Sequence, residues 1–240
     1  MKEVLAFIDQ KQQEFRQLPL MIYLQDKSIS PQKRLAFAPC VAPFIMDFSD
    51  FNKYVLRQEA NQNPIQQLIN NHTYEDERHW HWFLEDLEKL GFNQKQDFNA
   101  TLTFLWGEET KAARRVSHLL EQCIFKAEKL DINLKLAVSE AIEAAGVVMF
   151  SNTAAVAQEL QEITQQEYRY FGRFHLSFET GHLTGVENIE TVLETIQLSV
   201  QNTTKAFELV ARVFAIFTEL TQELLAFAKK SQVSSLPCLS

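Results

Sequence analysis

Glycine and proline are scarce in this sequence, with six of each in 240 residues, and they cluster instead of recurring at regular intervals. A chain of many short strands needs frequent turn residues, and strict alternation of apolar and polar residues is also hard to find. Glutamine, glutamate, leucine, alanine and lysine are plentiful, and these residues favour helices. The composition therefore predicts a mostly helical protein.

Paired cysteines are also missing. The three cysteines, Cys40, Cys123 and Cys238, are odd in number and widely separated, and no CxxC motif occurs. This pattern suggests neither a zinc ribbon nor a disulfide framework, and it fits a reducing compartment.

Basic tracts and long apolar runs are absent as well. The net charge of −8 argues against a nucleic-acid interface and against a polybasic membrane surface. The sequence contains no run of 18 apolar residues, so no membrane span is predicted. The N-terminus becomes charged again too soon for a signal peptide. We therefore expect a cytoplasmic protein that binds neither nucleic acid nor membrane.

The apolar periodicity predicts one all-α domain over residues 1–230, a bundle of about seven helices, followed by a disordered tail at 231–240. Pro19 should stop the first helix, Pro43 should kink or break the second, and Gly107 should bend the fourth. The segment 153–164 is either a separate short helix or a continuation of the one before it. The predicted helices are 2–17, 32–57, 63–90, 98–129, 132–152, 166–182 and 187–230.

The most informative stretch contains His175, Glu179 and His182, which are spaced at i, i+4 and i+7. On a helix this spacing places the three side chains on one face. The sequence from Tyr168 through Phe174 and Phe178 is rich in aromatic residues, and such surroundings are typical of a buried cofactor site. The spacing therefore predicts a metal-binding face.

Two other helices offer similar side chains. In the first, His72, either Glu75 or Asp76, and His79 share a face, whereas His81 points elsewhere. In the second, two carboxylates, Glu140 and Glu143, stand three residues apart among small apolar residues.

Imidazole and carboxylate ligands suit iron, manganese or zinc, and the lack of thiolates argues against a structural zinc site. Helix bundles build dinuclear sites from such inward-facing residues. The alternative is that the acidic residues form solvated faces or pair with lysine and arginine across the bundle.

Together the three clusters resemble the haem-oxygenase-like proteins, in their iron-dependent oxidase and oxygenase branch. The resemblance extends to the chlamydial protein associating with death domains and, more distantly, to thiaminase II-like proteins. The motif His-x-x-x-Asp/Glu-x-x-His is matched at His175, Glu179 and His182, and the early histidine is matched by His79. The resemblance covers residues 30–225. It departs from the family at position 72, where a histidine stands in place of the usual glutamate.

The resemblance implies a non-haem iron site, with two ions expected and manganese or a single ion as alternatives. Its ligands would be His79, His175, Glu179 and His182, with either Glu143 or Glu140 from the middle helix and either His72 or Glu75 completing the set. It also implies O2 as a substrate, and homodimers occur in the family. The substrate pocket is expected to include Phe150, Phe171, Phe174 and Phe178, which suggests a small apolar or amphipathic molecule as the organic substrate.

Two other functions are compatible with the sequence. One is a non-catalytic helical module that binds a partner or an apolar ligand and retains a remnant of the metal site, a hypothesis supported by His72. The other is thiaminase-type hydrolysis, which requires Cys40 or Cys123 to lie at the pocket.

In the iron-dependent function, the iron would oxidise either a separate substrate or one of the protein's own tyrosines, with Tyr74, Tyr168 and Tyr170 as candidates.

Overall fold

Helices form the whole of the regular structure in residues 1–94, 97–182 and 195–233, which are the residues that the computed structural model describes. The side chains at 179–182 and 232–233 are not described. The predicted all-α single domain is confirmed, and the described residues form eleven α-helices, one of them a single turn, instead of about seven. They are α1 (Lys2–Arg16), α2 (Pro19–Gln25), α3 (Pro31–Arg34), α4 (Ala38–Phe51), α5 (Pro64–Asp76), α6 (His79–Lys89), α7 (Phe98–Leu105), α8 (Val116–Glu128), α9 (Ile132–Thr164), α10 (Arg173–His182) and α11 (Val200–Val233).

Helix α9 is the central element of the bundle and packs against α1, α2, α3, α5, α8, α10 and α11. It begins where the Asp131 side chain accepts a hydrogen bond from the N–H of Asn133, and it ends at Gln165, whose backbone is left-handed with φ of 59°. Buried alanines along its length let neighbouring helices approach closely. The segment 153–164 continues this helix without a break.

Helix α4 is an apolar segment that passes through the core and contains Pro43. A π-helical turn, Asn52–Leu56, follows it, and the short helix α3 precedes it. The predicted segment 32–57 is divided at residues 35–37 and by the π-helical turn, whereas Pro43, the predicted site of a kink or break, lies inside the continuous helix α4. This arrangement brings Ser49 and the residues after it against the junction of α5 and α6.

That junction corrects the prediction of one continuous helix over 63–90. The Asn63 side chain caps α5 as expected, but the helix ends at Asp76 and α6 begins at His79. The Ser49 hydroxyl donates to the Glu77 carbonyl at 2.9 Å, and the Arg57 guanidinium pairs with the Glu77 carboxylate at 2.7 Å. These contacts use a carbonyl that a continuous helix would need and hold the chain in a turn.

Other boundaries also differ from prediction. The segment 98–129 is divided between α7 and α8. In the intervening turn the Arg114 side chain donates hydrogen bonds to the carbonyls of Leu105 and Gly107, which a continuous helix would use for its own backbone. Pro19 starts a helix as well as following one. The last helix runs through Val233, beyond the predicted end at 230, and residues 196–199 before it are not helical.

No helix in the described part of the chain is long and apolar enough to cross a membrane.

Candidate metal and substrate site

Two buried histidines from different helices face each other. His79 is the first residue of α6, His175 is the third residue of α10, and their ring centroids lie 4.4 Å apart at an interplanar angle of 73°. Only 6% of His79 and 2% of His175 is exposed. The turn at Glu77 and Arg78 sets this pairing, because it decides where α6 begins.

Both histidines line a cavity of about 110 Å³ at the centre of the bundle. Most of its wall is aromatic or aliphatic and comes from α4, α9 and α11, including Phe44, Met149 and Phe217. The cavity therefore suits an apolar ligand, with a few polar groups to orient it. The residues of the cavity wall whose side chains carry a nitrogen or oxygen atom are Ser49, Asp76, His79, Trp80, Glu143, Thr153, Tyr170, His175 and Thr221.

A smaller cavity of about 20 Å³, large enough for roughly one water molecule, adjoins the first. His72, Asp76, Glu140 and Glu143 line it, so Asp76 and Glu143 border both cavities. Burial raises the pKa of Glu140 to about 7. The smaller cavity thus has a carboxyl group that changes its charge near neutral pH.

The proton position on His175 follows from its hydrogen bond. Its Nδ1 lies 3.0 Å from the backbone carbonyl oxygen of Tyr170. A carbonyl can only accept, so Nδ1 carries a proton, and in the neutral imidazole the lone pair is on Nε2. Metal-binding histidines commonly have this arrangement, in which one ring nitrogen donates to a carbonyl and the other binds the metal.

His79 is held by ring stacking and lies beside a carboxylate. Its ring lies parallel to the Trp82 indole, with centroids 4.5 Å apart and an interplanar angle of 22°, and its Nδ1 is 3.7 Å from Asp76 Oδ1. Phe174 and Phe178 pack against Trp82, whereas Phe150 and Phe171 line the large cavity. The four predicted pocket phenylalanines are therefore divided between the cavity wall and a cluster beside His79.

The loop before α10 is fixed by Asp86, a fully buried residue of α6 that the sequence reasoning missed. Its carboxylate accepts three backbone hydrogen bonds, from Arg169, Tyr170 and Phe171. This explains why the predicted helix 166–182 begins only at Arg173. The N–H groups of residues 169–171 bind Asp86, so these residues do not form an earlier turn of the helix.

The predicted ligands have different positions. His79, Glu143 and His175 line the large cavity, and His72 and Glu140 line the small one. Of the two acidic residues that the spacing left open, Asp76 is buried between the cavities and Glu75 is exposed.

The side chains of Glu179 and His182 lie outside the described residues. Among the side chains that are described, no group of three or more His, Cys, Asp or Glu has the arrangement of a metal site. The complete ligand set therefore stays a prediction.

The cysteines do not match thiaminase-type chemistry. Cys40 donates to the Glu109 carbonyl at 2.7 Å, and burial raises the pKa of its thiol as it does that of Cys123. A cysteine nucleophile needs the opposite shift. Neither residue lines the two cavities, and Cys238 lies outside the described residues.

Comparison of the chain with protein-family models and with curated proteins found no match.

Proposed function

We propose that this chain is a haem-oxygenase-like, non-haem iron oxidase or oxygenase that uses O2 to oxidise a small apolar or amphipathic molecule. The observation that supports it is the convergence of His79 and His175, from two helices, on an apolar cavity bordered by Asp76 and Glu143. Buried imidazole and carboxylate groups have few reasons to share an apolar cavity other than binding a cation or doing proton chemistry.

The residues present fit iron by their chemistry. Nitrogen and oxygen donors are the ligands of non-haem iron sites, and the Nδ1–H bond of His175 leaves Nε2 as its donor nitrogen. His79, His175 and Glu143 would hold the metal, joined by Glu179 and His182 if α10 presents them as their spacing predicts. Asp76 takes the place proposed for Glu75, with His72 as the alternative. Bound iron would supply the reduction of O2 that oxidation of an organic substrate requires.

The chain's own residues would perform the remaining tasks. The aromatic wall excludes water and contacts an apolar substrate, and the hydroxyl groups of Ser49, Thr153 and Thr221 are available to orient a polar end. Glu140, with a pKa of about 7, can hold or release a proton at neutral pH beside Asp76 and Glu143. A separate small molecule and O2 are thus the proposed partners, and a homodimer remains part of the proposal.

The test is metal content by elemental analysis after anaerobic loading with Fe(II). The wild type should retain about two irons per chain, as in dinuclear bundle sites, and His175→Ala should lose them. The control is His118→Ala, because His118 is 69% exposed on α8 and far from the proposed ligands in sequence. A wild type that binds no iron above background would refute the proposal, and one iron per chain would support a mononuclear version.

A second candidate, a non-catalytic module that binds an apolar ligand, is favoured by the largely aromatic and aliphatic wall of the cavity. Trp80 lines this cavity, so binding of naphthalene should change the tryptophan fluorescence. If the wild type and His175→Ala bind naphthalene equally and neither binds iron, the module is the better description. Loss of iron in the variant with naphthalene binding unchanged would favour the oxidase.

A further inference from the structure

Asp86 connects the helix that carries His79 to the loop that leads to His175. It lies on α6, two helical turns after His79, and none of its surface is exposed. Its Oδ1 accepts the N–H of Arg169 at 2.9 Å, and its Oδ2 accepts the N–H groups of Tyr170 at 2.9 Å and Phe171 at 3.0 Å. One side chain therefore fixes three successive peptide groups.

Asp86 has the surroundings of an ionised carboxylate. All three backbone contacts are donors, which a carboxylate accepts, and the Lys89 ammonium is 3.6 Å from Oδ1. Burial raises the pKa of Asp86 above its ordinary value, and the three N–H groups and Lys89 offset only part of this rise. A buried negative charge thus faces the N–H side of the loop.

One of these peptide groups also contacts His175. The N–H of Phe171 donates to Asp86, and the carbonyl of Tyr170, on the other side of the same planar amide, accepts the Nδ1–H of His175 at 3.0 Å. An anion at the N–H of an amide polarises it and makes its carbonyl oxygen a stronger acceptor. The contacts therefore connect the Asp86 carboxylate, through the Tyr170–Phe171 peptide group, to the His175 imidazole.

We propose that Asp86 is a positioning residue for His175, acting through the Tyr170–Phe171 peptide group as a carboxylate acts directly in carboxylate–histidine pairs. It holds the imidazole as the Nδ1–H tautomer, fixes the ring orientation, and increases the electron density at Nε2. In metal sites such partners keep the histidine nitrogen ready to bind. The consequence for metal affinity rests on the proposed function, whereas the consequence for the tautomer does not.

The test compares Asp86→Asn with Glu85→Gln. The first keeps the shape of the side chain but removes the charge and one acceptor oxygen. The second removes a neighbouring carboxylate that pairs with Arg169 at 3.7 Å and is 47% exposed. The readouts are the ¹⁵N NMR shifts of the His175 ring, which report the tautomer, and the affinity for Co(II) from its visible absorption.

Asp86→Asn should give a mixture of His175 tautomers and weaken Co(II) binding by roughly 10- to 100-fold, and Glu85→Gln should match the wild type. A folded Asp86→Asn protein with the wild-type tautomer and a Co(II) affinity within about twofold of the wild type would overturn the proposal. A wild type that binds no Co(II) would overturn the metal function alone, since the tautomer still tests Asp86.

A backbone ester at Phe171 keeps the proposal testable if Asp86→Asn fails to fold. Replacing Phe171 by its α-hydroxy acid removes the N–H that binds Asp86, weakens the Tyr170 carbonyl as an acceptor, and leaves every side chain in place. The expected result is the same change in the His175 tautomer. An ester protein with the wild-type ¹⁵N shifts would show that the peptide group does not transmit the effect.

Discussion

Glu140 gives the most quantitative prediction, because its carboxyl group is placed at the small cavity with a pKa raised to about 7 from the ordinary value of 4.5. Glu140 is half-buried on α9, the central helix of the bundle. Glu140→Gln keeps the size and hydrogen-bonding capacity of the side chain and removes the charge. In metal-free protein the substitution should therefore stabilise the fold at alkaline pH and have little effect in acid.

The sign follows from proton linkage. Between about pH 4.5 and about pH 7 the folded protein binds more protons at Glu140 than the unfolded chain does, so the free energy of unfolding decreases as the pH rises through this window. A shift from 4.5 to about 7 corresponds to about 3 kcal/mol. This figure is an upper limit because Glu140 retains some accessible surface.

The assay is urea denaturation of the wild type and Glu140→Gln in a chelator, from about pH 4.5 to about pH 8.5. The variant should gain up to about 3 kcal/mol over the wild type across this range. Glu162→Gln, at an exposed position of the same helix, controls for the general effect of removing a negative charge. Parallel curves for the wild type and Glu140→Gln at every pH would refute the reasoning that burial destabilises the charged form.

Metal can then be added to the same proteins to identify the middle ligand. If Glu140 binds the metal, the cation should reverse the alkaline destabilisation of the wild type, and Glu140→Gln should lose metal affinity. If Glu143 is the ligand, Glu143→Gln should lose the affinity and Glu140→Gln should retain it.

Two further predictions concern elements that support the site. Gly172→Ala should destabilise the protein by about 3 kcal/mol or more, because a Cβ there would lie 1.9 Å from the Tyr168 carbonyl oxygen. Thermal unfolding measures the loss. A variant as stable as the wild type would contradict this close approach of the two backbone segments. Lys135 is fully buried, and burial lowers its pKa below the ordinary 10.5. The unfolded chain then binds more protons than the folded protein, so the wild type should gain stability relative to Lys135→Met as the pH rises toward 10.5. Urea denaturation from about pH 7 to about pH 10 measures this difference. The absence of a relative gain would contradict the lowered pKa of Lys135.

Much of the helical framework could be predicted because the signals for its boundaries are local. Asn63 and Asp131 cap helices with their own side chains, and Pro31 and Pro64 occupy first helical positions. Gly91 follows α6 with a positive φ of 86°, as a C-terminal glycine should. Each signal acts within a few residues, so it can be read from the sequence.

The break between α5 and α6 could not be predicted in this way. Nothing in the run from Thr73 to His81 stops a helix, and the contacts that hold the turn come from Ser49 and Arg57. Without the break, His72 and His79 would share a face of one helix. With it, His72 lines the small cavity while His79 stacks on Trp82 and faces His175.

Asp86 shows the same limit at the site itself. In the sequence it belongs to Glu85-Asp86-Leu-Glu-Lys89, which is typical of a solvated helix face, yet it is fully buried. Its partners are backbone N–H groups more than eighty residues later, and backbone groups leave no mark on residue type. Helical spacing can therefore indicate which side chains share one helix face. How two such faces meet depends on loops such as 165–172, and those are held by contacts that only the folded chain reveals.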